Sequence, residues 1–311
     1  MPSESPSISR RRAAELIAEP GGAPRAAFRL GGPTVRLDPR TSAYRPDIAD
    51  VALAGTLFAP HYAAPMLRMA GVAMPMRSAP DDGAEAVSQL LPGEEFAVID
   101  IAAGWAWGFS LHDHYVGYVA IDRLVAPVRP THRVGVREAL VFADASIKSP
   151  LVGTLPFGAR ITGETVDNFL RTPDGYVHQR HVAAVENSAA DPVAVAELFL
   201  GMPYLWGGRG ADGIDCSGLV QTAMAACGIA APRDTDMQRE TLGTPLSEGA
   251  RLRRGDIVNF PGHVGLMVDE DRLIHANAHW MSVVIEPLAD VVARLSPHHD
   301  RPISSRRRIA S

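Results

Sequence analysis

The chain has only two cysteines in 311 residues, Cys216 and Cys227, eleven positions apart. Two thiols at that spacing make no disulfide framework. Without further ligands at metal-binding intervals they make no zinc site, so neither metal nor cofactor is expected. Long apolar runs are equally scarce. No window of about 18 apolar residues offers a membrane span. The opening "MPSESPSISRRRAAELIAEPGG" carries an Arg cluster without the apolar stretch of roughly 7–15 residues that follows in a secretory leader. A reduced, cytoplasmic protein is the expectation. Basic excess is missing too: 30 Lys and Arg face 35 Asp and Glu, a formal charge of −5, which argues against nucleic acid as a partner. The Arg triplets at 10–12 and 306–308 read as solvated ends.

With 46% apolar and 21% charged residues the composition is that of a globular protein, and its length suits two or three domains. The 28 Gly and 25 Pro favour short strands and many turns. Residues 1–65 are rich in Pro and Arg with weak periodicity, and are expected to lie as an extended segment across other domains. Residues 66–127 change character: "AVIDIAAGWAWGFS" and "HYVGYVAI" have the rhythm of a small all-β barrel. Residues 131–186 repeat it. "SQLLPGEEF" aligns with "GTLPFGARI", and "DHYVGYVAIDRLV" with "DGYVHQRHVAAV", an internal duplication with a period of about 60–65 residues.

From residue 190 to 311 the pattern becomes α+β. "DPVAVAELFLGM" predicts a helix with Asp191 as N-cap and Pro192 at its first position. "CSGLVQTAMAACG" predicts a second, capped by Asp215 and ended by Gly228, with Leu219, Val220, Ala223, Met224 and Cys227 as its buried stripe. Strands follow in "RGDIVNFP", "HVGLMV" and "RLIHANA", the last two joined by a tight turn at 269–271.

The two cysteines therefore sit at opposite ends of one helix. A free thiol ionises at about 8.5, and unpaired N–H groups at a helix start lower that value, whereas the C-terminal end opposes ionisation. Cys216 is the expected nucleophile and Cys227 is expected to be packing. A nucleophile needs a base, and the base an orienter. A turn at 269–271 brings position 263 opposite about 277, which places His275 within about one residue pair of His263. One imidazole then takes the thiol proton and the other fixes its tautomer.

These residues carry a family resemblance. "YLWGGRGADGIDCSGLVQ", "RRGDIVNFPGHVGLMV" and "RLIHANA" resemble, in order, three blocks of the NlpC/P60 cysteine peptidases, and "LLPGEEF" and "DHYVGYV" resemble bacterial SH3 (SH3b) domains, with His114 in place of a Gly. The second β copy is more divergent, with Ala159 for Glu94 and His178 for a Gly. The resemblance implies a multidomain chain: two small all-β SH3-like barrels followed by an α+β papain-like catalytic domain. It implies Cys216 as nucleophile, His263 as base, His275 as third member, and Tyr204 as an oxyanion or substrate donor. The implied reaction is hydrolysis of the bond between γ-D-glutamyl and a diamino acid in murein peptides.

Members acting on free peptides hold an unblocked N-terminal L-Ala as an ammonium near acidic residues. Asp215 and Ser217 are placed to do so; Asp215 reads equally as a helix cap. Glu94 reads as a wall of that site or as a solvated turn, and Tyr115 as a wall or as barrel core. Trp206 is expected in the cleft, while Trp105 and Trp107 fit aromatic core better. The expected partner is thus a small L-Ala-γ-D-Glu-diamino acid peptide in cell-wall recycling, with no nucleic acid or membrane and with oligomeric state open. The rivals are a secreted lysin of polymeric murein, a non-catalytic murein- or peptide-binding module, and acyl transfer or amidase chemistry on another acyl group.

Overall fold

The computed structural model describes residues 36–309, so residues 1–35, with the Arg triplet at 10–12 and the first half of the segment 1–65, lie outside the described residues. From Leu37 onward the chain forms one compact unit of three β-rich parts. Among the described residues no helix is long and apolar enough to cross a membrane.

The first part is a seven-stranded antiparallel sheet in the order Ala86–Leu90, Met74–Arg77, Val116–Ala120, Trp105–Ser110, Glu95–Ala102, Met66–Ala70, Leu124–Val125. Alternation along these strands sends Met74, Met76, Leu90, Phe96, Val98 and Val119 into one core. The preceding segment runs along this sheet. Arg45 lies over the Trp107 ring at 4.5 Å and pairs with Asp100 at 2.5 Å, and Val116 donates its N–H to the Arg40 carbonyl at 2.8 Å.

The second part has a five-stranded sheet, with Glu138–Phe142 and Gly175–His178 near its centre, and a three-stranded one around His132–Val134. Its local structure repeats that of the first part. Val116–Ala120 leads through a 3₁₀ turn, Ile121–Arg123, into Leu124–Val125; Gly175–His178 leads through Gln179–His181 into Val182–Ala184. The aligned glycines Gly93 and Gly158 both take left-handed backbone, at φ 79° and 83°. His114 adopts φ 60°, a conformation that glycine takes without strain, and stacks on Phe109. At Gly93 a side chain would also meet the Arg160 carbonyl at 2.0 Å, so the two β parts abut there.

The third part holds a six-stranded sheet in the order Thr244–Pro245, Ser305–Arg308, Ile257–Phe260, His263–Met267, Arg272–Asn277, Ser282–Pro287. Four helices accompany it: α1 (Pro192–Glu197), α2 (Cys216–Ala226), α3 (Thr235–Thr241) and α4 (Leu288–Leu295). Asp191 and Asp215 cap α1 and α2, and Gly228 follows α2 at φ 76°. α2 packs on His263–Met267, and Leu219, Val220, Ala223 and Met224 are fully buried. Cys227 departs from the expected stripe: it is the C-cap and only half-buried, because the helix has already ended. α3 and α4 arise in stretches to which the pattern assigned no element. α3, "TDMQRET", has no apolar stripe and buries only Gln238.

The Arg triplet at 306–308 is not a solvated end. It forms a strand between Ile257–Asn259 and Thr244–Pro245. Arg308 grips Asp256 at 2.6 and 2.7 Å, and the buried Arg307 satisfies the carbonyl of Gly243 at 2.8 Å.

Candidate active site

Cys216 opens α2 with its thiol buried, receiving the backbone N–H groups of Ser217 and Val264, the residue after His263. Gly218 in the first turn is a packing requirement, since a Cβ there would meet the Gly208 carbonyl at 2.3 Å. Burial, helped by the Asp215 charge, pushes the thiol up to about 12 against the pull of those N–H groups and Arg233. This corrects the expectation of a lowered value: in this buried pocket desolvation outweighs the helix start, and the resting group is a thiol.

His263 and His275 lie on one sheet face. The pairs Leu266↔Ile274 and Met267↔Leu273 count back to 263 opposite 277, and the rings are 4.9 Å apart between centroids. His263 Nε2 and His275 Nδ1 are 2.7 Å apart, and His275 Nε2 is 2.8 Å from Glu286 Oε1. Glu286 receives Arg294 at 2.5 and 3.1 Å and the Trp280 indole N–H at 3.3 Å; burial opposes its ionisation, but these donors hold it below the ordinary carboxylate range. An ionised Glu286 accepts the His275 Nε2–H. His275 Nδ1 then accepts from His263 Nε2–H, and the lone pair of His263 Nδ1 is left as the proton acceptor. Burial, then the charges of His275 and Arg294, depress His263 to about 3, so the imidazole rests neutral.

Beside Cys216 opens a cleft of about 270 Å³, lined by Tyr204, Trp206, Asp215, Ser217, Arg233, Asp234 and Asp236 of the third part and by Glu85 and Tyr115 of the first. Tyr204 is half-buried; burial and then Cys216 and Asp215 raise its hydroxyl pKa, so the phenol keeps its proton. Trp206 is exposed and donates to Glu85 Oε1 at 2.8 Å. Tyr115 packs its ring in the core of the first part and donates its hydroxyl to Asp234 Oδ2 at 2.9 Å.

Asp215 is fully committed within the protein. It accepts from Gly218 N at 2.7 Å, Gly207 N at 2.9 Å and Ser217 Oγ at 3.2 Å, and both oxygens take the guanidinium of Arg233, at 3.0 and 2.5 Å. Arg233 is itself buried and also donates to Ser217 Oγ at 2.8 Å and to Ser88 Oγ of the first part at 3.2 Å. The Asp215 charge is thus balanced where an ammonium would need it unopposed.

Glu94 is not brought to the cleft, and it is not a solvated turn. It is buried in the joint between parts, where Arg209 grips it at 2.7 and 3.0 Å. Burial resists its ionisation, but Arg209, His112 and the Leu91 N–H prevail and hold it at about 2. Trp105 and Trp107 also lie outside the cleft, Trp107 being buried beneath Arg45. The residues that sequence reasoning missed are Glu85, Arg233, Asp234 and Glu286. Asp236 belongs with them, and all lie in stretches without motif, so only their partners mark them.

Known proteins resemble this chain. Residues 201–294 match the NlpC/P60 family, and residues 76–124 match the bacterial dipeptidyl-peptidase Sh3 domain. Dipeptidyl-peptidase 6 of Lysinibacillus sphaericus is 28% identical over 227 residues, covering 64% of this chain and 82% of that protein. The gamma-D-glutamyl-L-lysine dipeptidyl-peptidase of Bacillus subtilis is 28% identical over 186 residues, and the match spans 53% of this chain and 60% of the relative. The crystal structure of an NlpC/P60 family protein from Bacillus cereus superposes with a TM-score of 0.67 at 20% identity, covering 79% of this chain and all of the other, a likeness of fold. Cys216, His263 and His275 all fall within the matched NlpC/P60 span, and the chain carries an NlpC/P60 cysteine peptidase domain behind a bacterial SH3 domain.

Proposed function

We propose that the enzyme hydrolyses the γ-D-glutamyl–diamino acid bond of small murein peptides whose N-terminal L-Ala is free. The observation that carries this reading is the charge of the cleft: four carboxylates, Glu85, Asp215, Asp234 and Asp236, face the guanidinium of Arg233 in the lining and that of Arg40 behind Asp234 and Asp236. Since Arg233 is spent on Asp215, the surplus is negative and suits an ammonium. Glu85 and Asp234 take the place first given to Glu94. The names of the Lysinibacillus and Bacillus relatives support a dipeptidyl-peptidase acting on such peptides.

In this reading the Cys216 thiol gives its proton to His263 Nδ1 as sulfur attacks the γ-glutamyl carbonyl. The imidazolium then protonates the leaving amine, releasing the diamino acid and leaving a thioester on Cys216. Water, deprotonated by His263, attacks the thioester and frees the acyl group with the thiol restored. The N–H of Cys216, at the start of α2, and the Tyr204 hydroxyl are the donors for the oxyanion. Glu286 and Arg294 keep His275 oriented throughout.

A cleft walled by Glu85 and Tyr115 at its amine end disfavours a peptide whose L-Ala nitrogen is still acylated. Soluble peptides from wall turnover, recycled in the cytoplasm, therefore fit it better than polymeric murein. We also take residues 131–186 as a second SH3-like barrel, 66–127 as the first, and 190–311 as a papain-like catalytic domain, with the nucleophile on a helix and the base on the facing sheet. Mass spectrometry of L-Ala-γ-D-Glu-diaminopimelate and its N-acetyl form with the purified enzyme tests the reading. The free peptide should be cleaved far faster than the acetylated one, and Cys216→Ala should abolish the product. Equal cleavage of both forms, or turnover of intact sacculi, would contradict it.

A further inference from the structure

Asp234 borders the cleft, yet much of what holds it comes from outside its own domain. Its Oδ2 accepts from Tyr115 Oη at 2.9 Å and from Arg40 NH1 at 2.8 Å. Its Oδ1 has no hydrogen-bond partner among the described residues. Arg40 reaches further. It donates to both oxygens of Asp236, at 2.9 and 2.8 Å, and is braced by Asp38, whose oxygens accept from its Nε and NH2 at 3.1 and 2.8 Å. Its own carbonyl is fixed by the Val116 N–H, next to Tyr115.

We propose that Arg40 is a positioning residue for the amine subsite: by holding Asp236 and one oxygen of Asp234, it leaves Asp234 Oδ1 as the acceptor presented to the substrate's N-terminal ammonium. This rests on the reading of the cleft as a site for a free amino terminus. The physical argument is one of charge and direction. Asp38, Asp234 and Asp236 cluster on a single guanidinium, so Arg40 lowers their mutual repulsion without cancelling the negative surplus. A planar fork holding two carboxylates sets their orientation in a way that a point charge does not. The segment before the first barrel thereby contributes to specificity without touching the reacting atoms. Arg40 lies 194 residues from Asp234 in sequence, and nothing in "LDPRTSAY" announces the contact.

The test is steady-state kinetics of the full chain on L-Ala-γ-D-Glu-diaminopimelate and on its N-acetyl form. Because the Arg40 side chain is 36% exposed, substitution should leave the fold intact. Arg40→Gln should raise KM for the free peptide about tenfold, the scale of one charge-assisted hydrogen bond, with kcat within about twofold. The preference for the free over the acetylated peptide should narrow by the same factor, and Arg40→Lys should restore part of it. An unchanged preference in Arg40→Gln, or an equal loss on both peptides, would overturn the role of Arg40 alone. Equal use of both peptides by the unmodified enzyme would overturn the amine reading itself, and the positioning role with it.

Discussion

The two β parts ahead of the catalytic domain share a local plan and meet that domain in different ways. The first meets it through polar and charged groups: Glu94 and Gln89 on Arg209, Ser88 on Arg233, Asp113 on Gln221, Glu85 on Trp206, Tyr115 on Asp234. The second meets it with Phe157, edge-on to Phe199 at 5.5 Å, and with Arg133 on the carbonyls of Asn187 and Ala226. At the aligned position the first has Glu94 and the second Ala159, both buried. The first part thus lines the cleft, whereas the second braces the domain away from it, and directional polar contacts orient a site more tightly than a packed ring does.

This contrast can be broken most severely at Glu94. Glu94→Ala leaves the Arg209 guanidinium buried without its partner and should cost about 3–5 kcal/mol, read as a drop in urea midpoint. The double variant Glu94→Ala, Arg209→Met should recover much of that loss; a double variant as weak as the single would show that the charge is not the cause. In the second part Phe157→Ala should cost about 3 kcal/mol through the cavity it opens, with kcat/KM on the free peptide near that of the unmodified enzyme. A changed KM there would remove the distinction between wall and brace.

Acid should separate the regions by pH. The folded value of Glu94, about 2, lies below the ordinary carboxylate value, so its contribution to stability is present above about 4.3 and is lost as pH falls toward 2. His263, at about 3 when folded, disfavours protonation in the native state; its contribution is full above about 6.5 and declines as pH falls toward 3. Unfolding midpoints measured from pH 7 down to 3 should show the Glu94-dependent loss vanish in the double variant while the loss beginning near 6.5 persists. The smallest effect is expected from Tyr115→Phe, which keeps the core ring and loses only the hydroxyl on Asp234. KM for the free peptide should rise about fivefold, the scale of one hydrogen bond, with kcat retained.

Much of the catalytic core was legible from residues close in sequence. Asp215 before Cys216 marks a helix start, and the Asp-Glu-Asp turn joins the two histidine strands, because caps and turns are local chemistry. The acid cluster was not legible in that way. Glu94 stands in a recognisable turn that reads as a wall or as solvated and is neither, whereas Glu85, nine residues earlier in an unremarkable loop, lines the cleft. Asp215 was expected to serve an ammonium as well as its helix, but a guanidinium 18 residues away takes its charge.

Local spacing accounts for the place of Cys216 at a helix start and for the approach of His263 to His275, since each depends on a cap or a strand register within about a dozen residues. Ionisation state and charge allocation depended on what was buried beside what. Desolvation made Cys216 a thiol and His263 a neutral imidazole, and contacts across 18 to 194 residues decided which carboxylates were neutralised and which still face the cleft. Both are properties of surroundings, and surroundings exist only once the chain has folded.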